Sequence, residues 1–235
     1  YYTEKIIYFP NSYQPNDNTR ILPTKKLLKS NYGLPEEKII MCSFNDTYKI
    51  TKEIFDIWIN ILQKNKNTVL WLLSNSETFE KNIANYVSSK NIDVSRIIFA
   101  HPTNSKEHIQ RLSLADIFLD SYPCCGHTTA SDAIWAEVPL ITIKGKTFAS
   151  RVASSLLNNI GLSELISSSF NEYYNLVCDL VLNKKKLLNI KNKLKENKLK
   201  KTLFNSEEYT KNLERAYMET YENKLKKLPN KNIYL

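Results

Sequence analysis

Short apolar, β-branched runs at residues 38–44, 68–73, 96–100, 116–119 and 139–143 alternate with segments whose apolar positions recur every three to four residues. Brief continuous apolar runs suit strands buried on both faces, whereas the three-to-four spacing belongs to helices with one apolar side. The helical segments fall at 51–65, 77–90, 106–115, 128–137 and 147–160. In the first, Ile54, Trp58, Ile61 and Leu62 share a face and Thr51 stands at the capping position. Gly161 follows the last, where a left-handed C-terminal cap favours glycine. Five strands separated by helices require right-handed crossovers. The expected fold class is therefore α/β, a Rossmann-like parallel sheet with helices on both faces.

Residues 170–227 read as helices only, the last carrying a stripe of Tyr209, Leu213 and Tyr217. The opening segment differs. Residues 6–9 can form a strand, but Pro10, Pro15, Pro23 and Pro35 among several asparagines mark an extended connection. The expected organisation is 1–35 as an extended connection with a first strand, 36–183 as the sheet-bearing domain and 184–235 as a C-terminal helical segment. No repeat of 20–50 residues is visible within the chain.

Composition narrows the class. The chain is 42% hydrophobic and 24% charged, as expected of a globular protein. No apolar run approaches the roughly 18 residues needed to span a bilayer. Tyr1, Tyr2, Thr3 and Glu4 do not resemble the basic start of a signal peptide, and the missing initiator Met suggests a segment of a longer protein. Cys42, Cys124, Cys125 and Cys178 form no CxxC pair, which fits a reducing cytoplasm. The net charge of +9 resides almost wholly in residues 184–201, where nine lysines face one glutamate. There Leu187, Ile190 and Leu194 mark a buried helix face, so the lysines are expected to be a solvated face and nucleic acid is not an expected partner.

In an open parallel sheet, ligands bind beyond the carboxyl ends of the strands. That rule selects three stretches: Asn45-Asp46-Thr47-Tyr48-Lys49, His101-Pro102-Thr103-Asn104 with the helix carrying His108 and Arg111, and Pro123-Cys124-Cys125-Gly126-His127-Thr128-Thr129. A helix N-terminus offers free amides and a partial positive charge of about half a unit, which attracts phosphate. Gly126 allows close backbone approach, and Asp132 lies one turn beyond Thr128, placed to accept ribose hydroxyls. The plainer reading is that Thr128 or Thr129 caps the helix and Asp132 satisfies its first turn. His108 and Arg111, three residues apart, can stack on and hydrogen-bond a base; singly, each reads as an exposed helix residue. Lys49 suits a diphosphate but equally suits solvent.

Other chemistries lack their residues. There is no GxGxxG, and Gly145-Lys146-Thr147 has Leu140 where a P-loop needs its leading glycine. Cys124, Cys125 and His127 lie too close together for a standard zinc site, so no metal is expected. There is no GxSxG elbow. Cys124 and Cys125 read as packing or loop residues.

The stretches Cys42-Ser43-Phe44-Asn45-Asp46-Thr47-Tyr48-Lys49-Ile50, Val69-Leu70-Trp71-Leu72-Leu73, Gly126-His127-Thr128-Thr129-Ala130-Ser131-Asp132, Thr147-Phe148-Ala149-Ser150-Arg151-Val152-Ala153-Ser154-Ser155-Leu156 and Leu203-Phe204-Asn205 occur in that order. Together they resemble the C-terminal catalytic lobe of the O-linked N-acetylglucosamine transferases, glycosyltransferase family 41. The segment from Ile7 to Asp17 resembles the family's linker between lobes.

The resemblance implies a two-lobed enzyme that transfers N-acetylglucosamine from UDP-N-acetylglucosamine to protein Ser or Thr, with inversion and without a metal or other cofactor. It implies that Lys49 holds the diphosphate and assists leaving-group departure. Gly126, His127, Thr128 and Thr129 would cradle the phosphates, Asp132 would bind the ribose, and His108, Arg111 and the Thr103 backbone would contact uracil. Asp46 lies in the donor loop but stands where animal enzymes carry a neutral amide; its carboxylate would repel a diphosphate unless paired with Lys49. Ser105 replaces a ribose-contacting lysine. The expected partners are a protein acceptor, a first catalytic lobe and tetratricopeptide repeats outside these residues. Two other readings stay open: a protein N-glucosyltransferase-like enzyme, and a non-catalytic interaction module with a degenerate nucleotide site.

Overall fold

A computed structural model describes residues 2–24 and 27–235. Tyr1, Lys25 and Lys26, which fall within the expected linker, lie outside the described residues. The elements run β1 (Ile7–Tyr8), β2 (Ile39–Ser43), α1 (Lys52–Lys64), β3 (Thr68–Leu73), α2 (Glu77–Ser89), β4 (Ile97–Ala100), α3 (Ser105–Leu112) and β5 (Ile117–Leu119). They continue with α4 (Thr128–Trp135), β6 (Leu140–Ile143), α5 (Val152–Asn159), β7 (Ile166–Ser167), α6 (Phe170–Leu182), α7 (Lys184–Lys200), α8 (Ser206–Leu225) and β8 (Ile233–Tyr234).

The main sheet has the order β4-β3-β2-β5-β6-β7, and every pairing in it is parallel. The order reverses beside β2, which starts the sheet and has β3 on one side and β5 on the other. The loops leaving β2 and β5 are thereby split to the two sides of one crevice. All five residues of β2 are buried, as expected of a central strand covered on both faces.

Helix starts follow the polar residues that precede them. Thr51, Ser76 and Asn104 each accept a first-turn amide, from Ile54, Phe79 and Glu107 respectively. Gly161 has φ 76°, and its amide reaches the Asn158 carbonyl, closing α5 as its position foretold. The core binds the last helices to the sheet: Trp58 of α1 donates to Tyr173 Oη of α6 at 3.1 Å, and Leu187, Ile190 and Leu194 of α7 are buried in the same cluster.

Three features depart from the expectations. The segment 147–160 is a short 3₁₀ turn, Phe148–Ser150, followed by α5, because Thr147 and Ser150 satisfy each other's groups in a capping box. Two further strands are present: β7 extends the sheet edge, and β8 pairs with β1 outside it. The lysines of α7 are not simply a solvated face. Lys191, Lys193 and Lys198 pair with Asp116, Glu164 and Glu137 at 2.7, 2.6 and 2.6 Å, and Lys198 is only 8% exposed. Among the described residues, no helix is long and apolar enough to cross a membrane.

Candidate functional site

The loops after β2 and β5 are built around one carboxylate. Asp120, fully buried at the end of β5, accepts the Gly126 amide at 2.7 Å, the Ser121 amide at 2.9 Å, Asn45 Nδ2 at 3.0 Å and Thr142 Oγ1 at 2.6 Å. Asn45 in turn accepts a hydrogen bond from Thr129 Oγ1. Burial raises the Asp120 carboxyl to about 6, although all four donors pull the other way. The space above Gly126 is filled: an added Cβ would come within 2.8 Å of Thr129 Oγ1 and 3.0 Å of Asn45 Oδ1. A side chain at this position would push the loops apart.

The capping expectation for α4 is overturned. His127 occupies the N-cap position and no side chain caps the helix. Thr129 instead turns its hydroxyl to Asn45 and Asp132 pairs with Arg20, so among the described residues no side chain accepts the Thr128 or Thr129 amide. An uncapped helix start next to Lys49 forms an electropositive corner. Lys49 sits on the 3₁₀ turn Thr47–Lys49 after β2, close enough to depress the basicity of His127, though burial of the ring is the larger cause.

His127 Nδ1 is 3.1 Å from Tyr13 Oη, whereas its Nε2 is buried with no hydrogen-bond partner among the described residues. The pairing with Lys49 that would offset the repulsion of a diphosphate by Asp46 is not formed. Asp46 is exposed, and it serves the lysine through its backbone, its carbonyl accepting the Lys49 amide at 3.0 Å. Among the described residues, Lys49 makes no ion pair.

The second wall comes from α3. His108 Nε2 lies 3.9 Å from Asp132 Oδ2, and its ring centroid is 5.5 Å from that of Phe44 at the end of β2. Burial, aided by Arg111 and Arg20, lowers His108 to about 4, leaving a neutral imidazole near neutrality. Arg111 is not an exposed helix residue: it is buried, donates to the His101 carbonyl at 2.6 Å and approaches His108 Nδ1 at 3.5 Å. Its Nε has no partner. Thr103 is half-buried, its hydroxyl bonded to Glu107. Asn31, Tyr32, Trp71, Thr103 and Arg111 line a cleft on this side.

Lys49, His108, Arg111, Gly126, His127, Thr128, Thr129 and Asp132 thus gather at the carboxyl edge of the sheet, in the segments after β2, β4 and β5 that also hold Asp46 and Thr103. His101 joins them only through its carbonyl, which holds Arg111; its imidazole is exposed and faces Glu80 at 3.8 Å. Cys125 is buried against the Ala149 carbonyl, its thiol pushed up to about 12, so it is a packing residue. Among the described residues, no group of three or more His, Cys, Asp or Glu is arranged to hold a metal ion.

Four contributors were not foreseen. Asp120 carried a weak signal, an acid ending the apolar run Ile117-Phe118-Leu119, and Asn45 lay in a selected loop without distinction. Tyr13 and Arg20 carried none: they touch His127 and Asp132 from more than 100 residues away.

The model of glycosyl transferase family 41 matches residues 14–213. The chain is 39% identical over 226 residues to an Arabidopsis thaliana protein named "Probable UDP-N-acetylglucosamine-peptide N-acetylglucosaminyltransferase SEC", covering 94% of this chain and 23% of that protein. It is 35% identical over 195 residues to the Caenorhabditis elegans UDP-N-acetylglucosamine-peptide N-acetylglucosaminyltransferase, covering 82% and 17% respectively. The chain therefore spans less than a quarter of the length of these relatives. In fold it is similar to a mutant of the Thermobaculum terrenum O-GlcNAc transferase, with a TM-score of 0.75 over 80% of this chain and 37% of that one, at 24% identity.

Proposed function

This chain belongs to glycosyl transferase family 41, and from that premise we propose that it forms the UDP-N-acetylglucosamine-binding lobe of an inverting, metal-independent enzyme that glycosylates protein Ser or Thr. The observation that carries the reading is the uncapped start of α4 beside Lys49, flanked one turn on by Asp132 and His108. A diphosphate fits the electropositive corner, a ribose fits Asp132, and a base fits the neutral His108 ring with Arg111 and the Thr103 backbone at its edge. The names of the relatives supply the donor and the acceptor class.

In the proposed mechanism, the protein stabilises the leaving group. Negative charge grows on the diphosphate as the bond to the sugar breaks. The amides of residues 127–129 at the uncapped helix start, with Lys49 beside them, would receive that charge with little reorganisation during the reaction. Gly126 and Thr129 keep that turn in place through Asp120 and Asn45. The proposal includes a first lobe with the acceptor groove, and tetratricopeptide repeats, outside the present residues. It also places the enzyme in the cytoplasm, where the four free cysteines would stay reduced. The lysines of α7 give little support to an interaction module, because three of them are committed to pairs within the chain.

Isothermal titration of the full-length protein with UDP tests the reading. Binding should be present and should be lost in both His127→Ala and Asp132→Ala. Absence of UDP binding, or binding indifferent to both changes, would overturn it.

A further inference from the structure

The segment before the sheet does more than connect. Its residues 13–20 lie across α4 and are pinned there at successive turns. Asn16, itself buried, accepts Ser131 Oγ at 2.6 Å and donates to the Leu203 carbonyl at 3.2 Å. Trp135 Nε1 donates to the Arg20 carbonyl at 3.1 Å, and the Arg20 guanidinium stands 5.7 Å from the centroid of the same indole. Ser131 and Trp135 are one turn apart on α4, and Asp132 lies between them. Arg20 is held over that gap, and its Nη1 bonds Asp132 Oδ1.

We propose that Arg20 is a positioning residue of the nucleotide site, which anchors one oxygen of the Asp132 carboxylate and turns the other so that it serves the hydroxyls of a bound ribose. The inference rests on the donor-site reading above. The pair is largely covered, with side chains 15% and 20% exposed, so the ion pair is poorly screened. Burial raises the Asp132 carboxyl above the ordinary aspartate range, and the neighbouring Arg20 guanidinium draws it back. Arg20 engages Oδ1, whereas Oδ2 faces the imidazole of His108 at 3.9 Å. A ribose hydroxyl donating to Oδ2 would find a charged acceptor of fixed direction. Without Arg20, the carboxyl would lose both its counter-charge and its anchor, and it would accept hydroxyl donors poorly.

Arg20 would touch no ligand atom itself, so its effect should follow the ribose hydroxyls and spare the rest of the nucleotide. The test compares UDP with 2′,3′-dideoxyuridine diphosphate by calorimetry on the full-length protein and on its Arg20→Ala and Arg20→Lys variants. Arg20→Ala should weaken UDP about tenfold, the cost of hydrogen bonds to a charged acceptor, while the dideoxy nucleotide changes less than about twofold. Arg20→Lys, which keeps the charge, should restore most of the preference for UDP. If Arg20→Ala does not fold, Arg20→Gln keeps the length and the cover over Trp135 and carries the same comparison.

Equal weakening of both nucleotides would show a merely structural role and overturn the inference, leaving the donor site intact. Tighter UDP binding by Arg20→Ala would also overturn it, because Arg20 would then be blocking the site. Failure of the unaltered protein to bind UDP sinks the donor-site reading, and this inference with it.

Discussion

The Asp120 carboxylate accepts the Gly126 amide at 2.7 Å, joining the buried end of β5 to the turn that opens α4. The same group holds Asn45 from the loop after β2, so one acid sets the spacing between two strand ends. Asp120→Asn should disturb both. The new amide nitrogen, in the Oδ2 place, can still donate to the Thr142 hydroxyl, but the three N–H donors on Oδ1 lose a charged acceptor, at a cost of about 1–3 kcal/mol. UDP affinity should fall along with stability, as read by calorimetry and chemical denaturation.

Asp120 also carries a pH signature. Its folded pKa is about 6, above the roughly 3.9 of an unfolded aspartate. The folded chain then binds more protons than the unfolded one between those values, so this group's contribution is fully present below about pH 4 and is lost as pH rises through 6. Denaturation midpoints of the native chain and of Asp120→Asn, measured from pH 4 to 7, should differ in slope by that contribution. Parallel slopes would remove Asp120 as the source.

His108 should act in the opposite sense. Its folded value is lowered to about 4, against 6.5 for an unperturbed histidine. The unfolded chain takes up the proton first, so stability falls as pH drops from about 6.5 to 4. Proton NMR of the imidazole should show a midpoint near 4, and a midpoint near 6.5 would mean the ring is not desolvated as described.

Lys49 is predicted to serve the reaction more than the binding. In the full-length protein, Lys49→Ala should cut kcat by about 10²–10³, the scale of losing one preorganised electrostatic group. The UDP Kd should change far less. Unchanged turnover would take Lys49 out of the mechanism.

Trp58 is the packing counterpart. It is fully buried, and its indole N–H meets Tyr173 Oη at 3.1 Å, beneath the carbonyl of Asp120. Trp58→Ala should cost about 3–5 kcal/mol through cavity formation, measured by urea unfolding. Trp58→Phe keeps most of the volume and should cost less.

The division between local and global information runs through particular residues. The five strands from β2 to β6 and the helices between them were legible because burial imposes a short-range period on the chain. Thr51 and Gly161 marked helix ends because capping is chemistry between near neighbours. The rule that ligands sit at the carboxyl edge of a parallel sheet then brought Lys49, His108, Arg111 and Gly126–Thr129 into view without coordinates.

The two-residue strands β7 and β8 were not legible, since neither stands in an apolar run as long as the one at residues 6–9 that marked β1. Nor was the role of Thr129, whose hydroxyl could have capped its own helix but bonds Asn45 instead. The partners of Asp132 were decided by folding alone: Arg20 precedes it by 112 residues and meets it only because Asn16 and Trp135 pin the segment between them. Period and capping act over a few residues and leave a trace in the sequence, whereas contacts across the fold depend on which surfaces pack together.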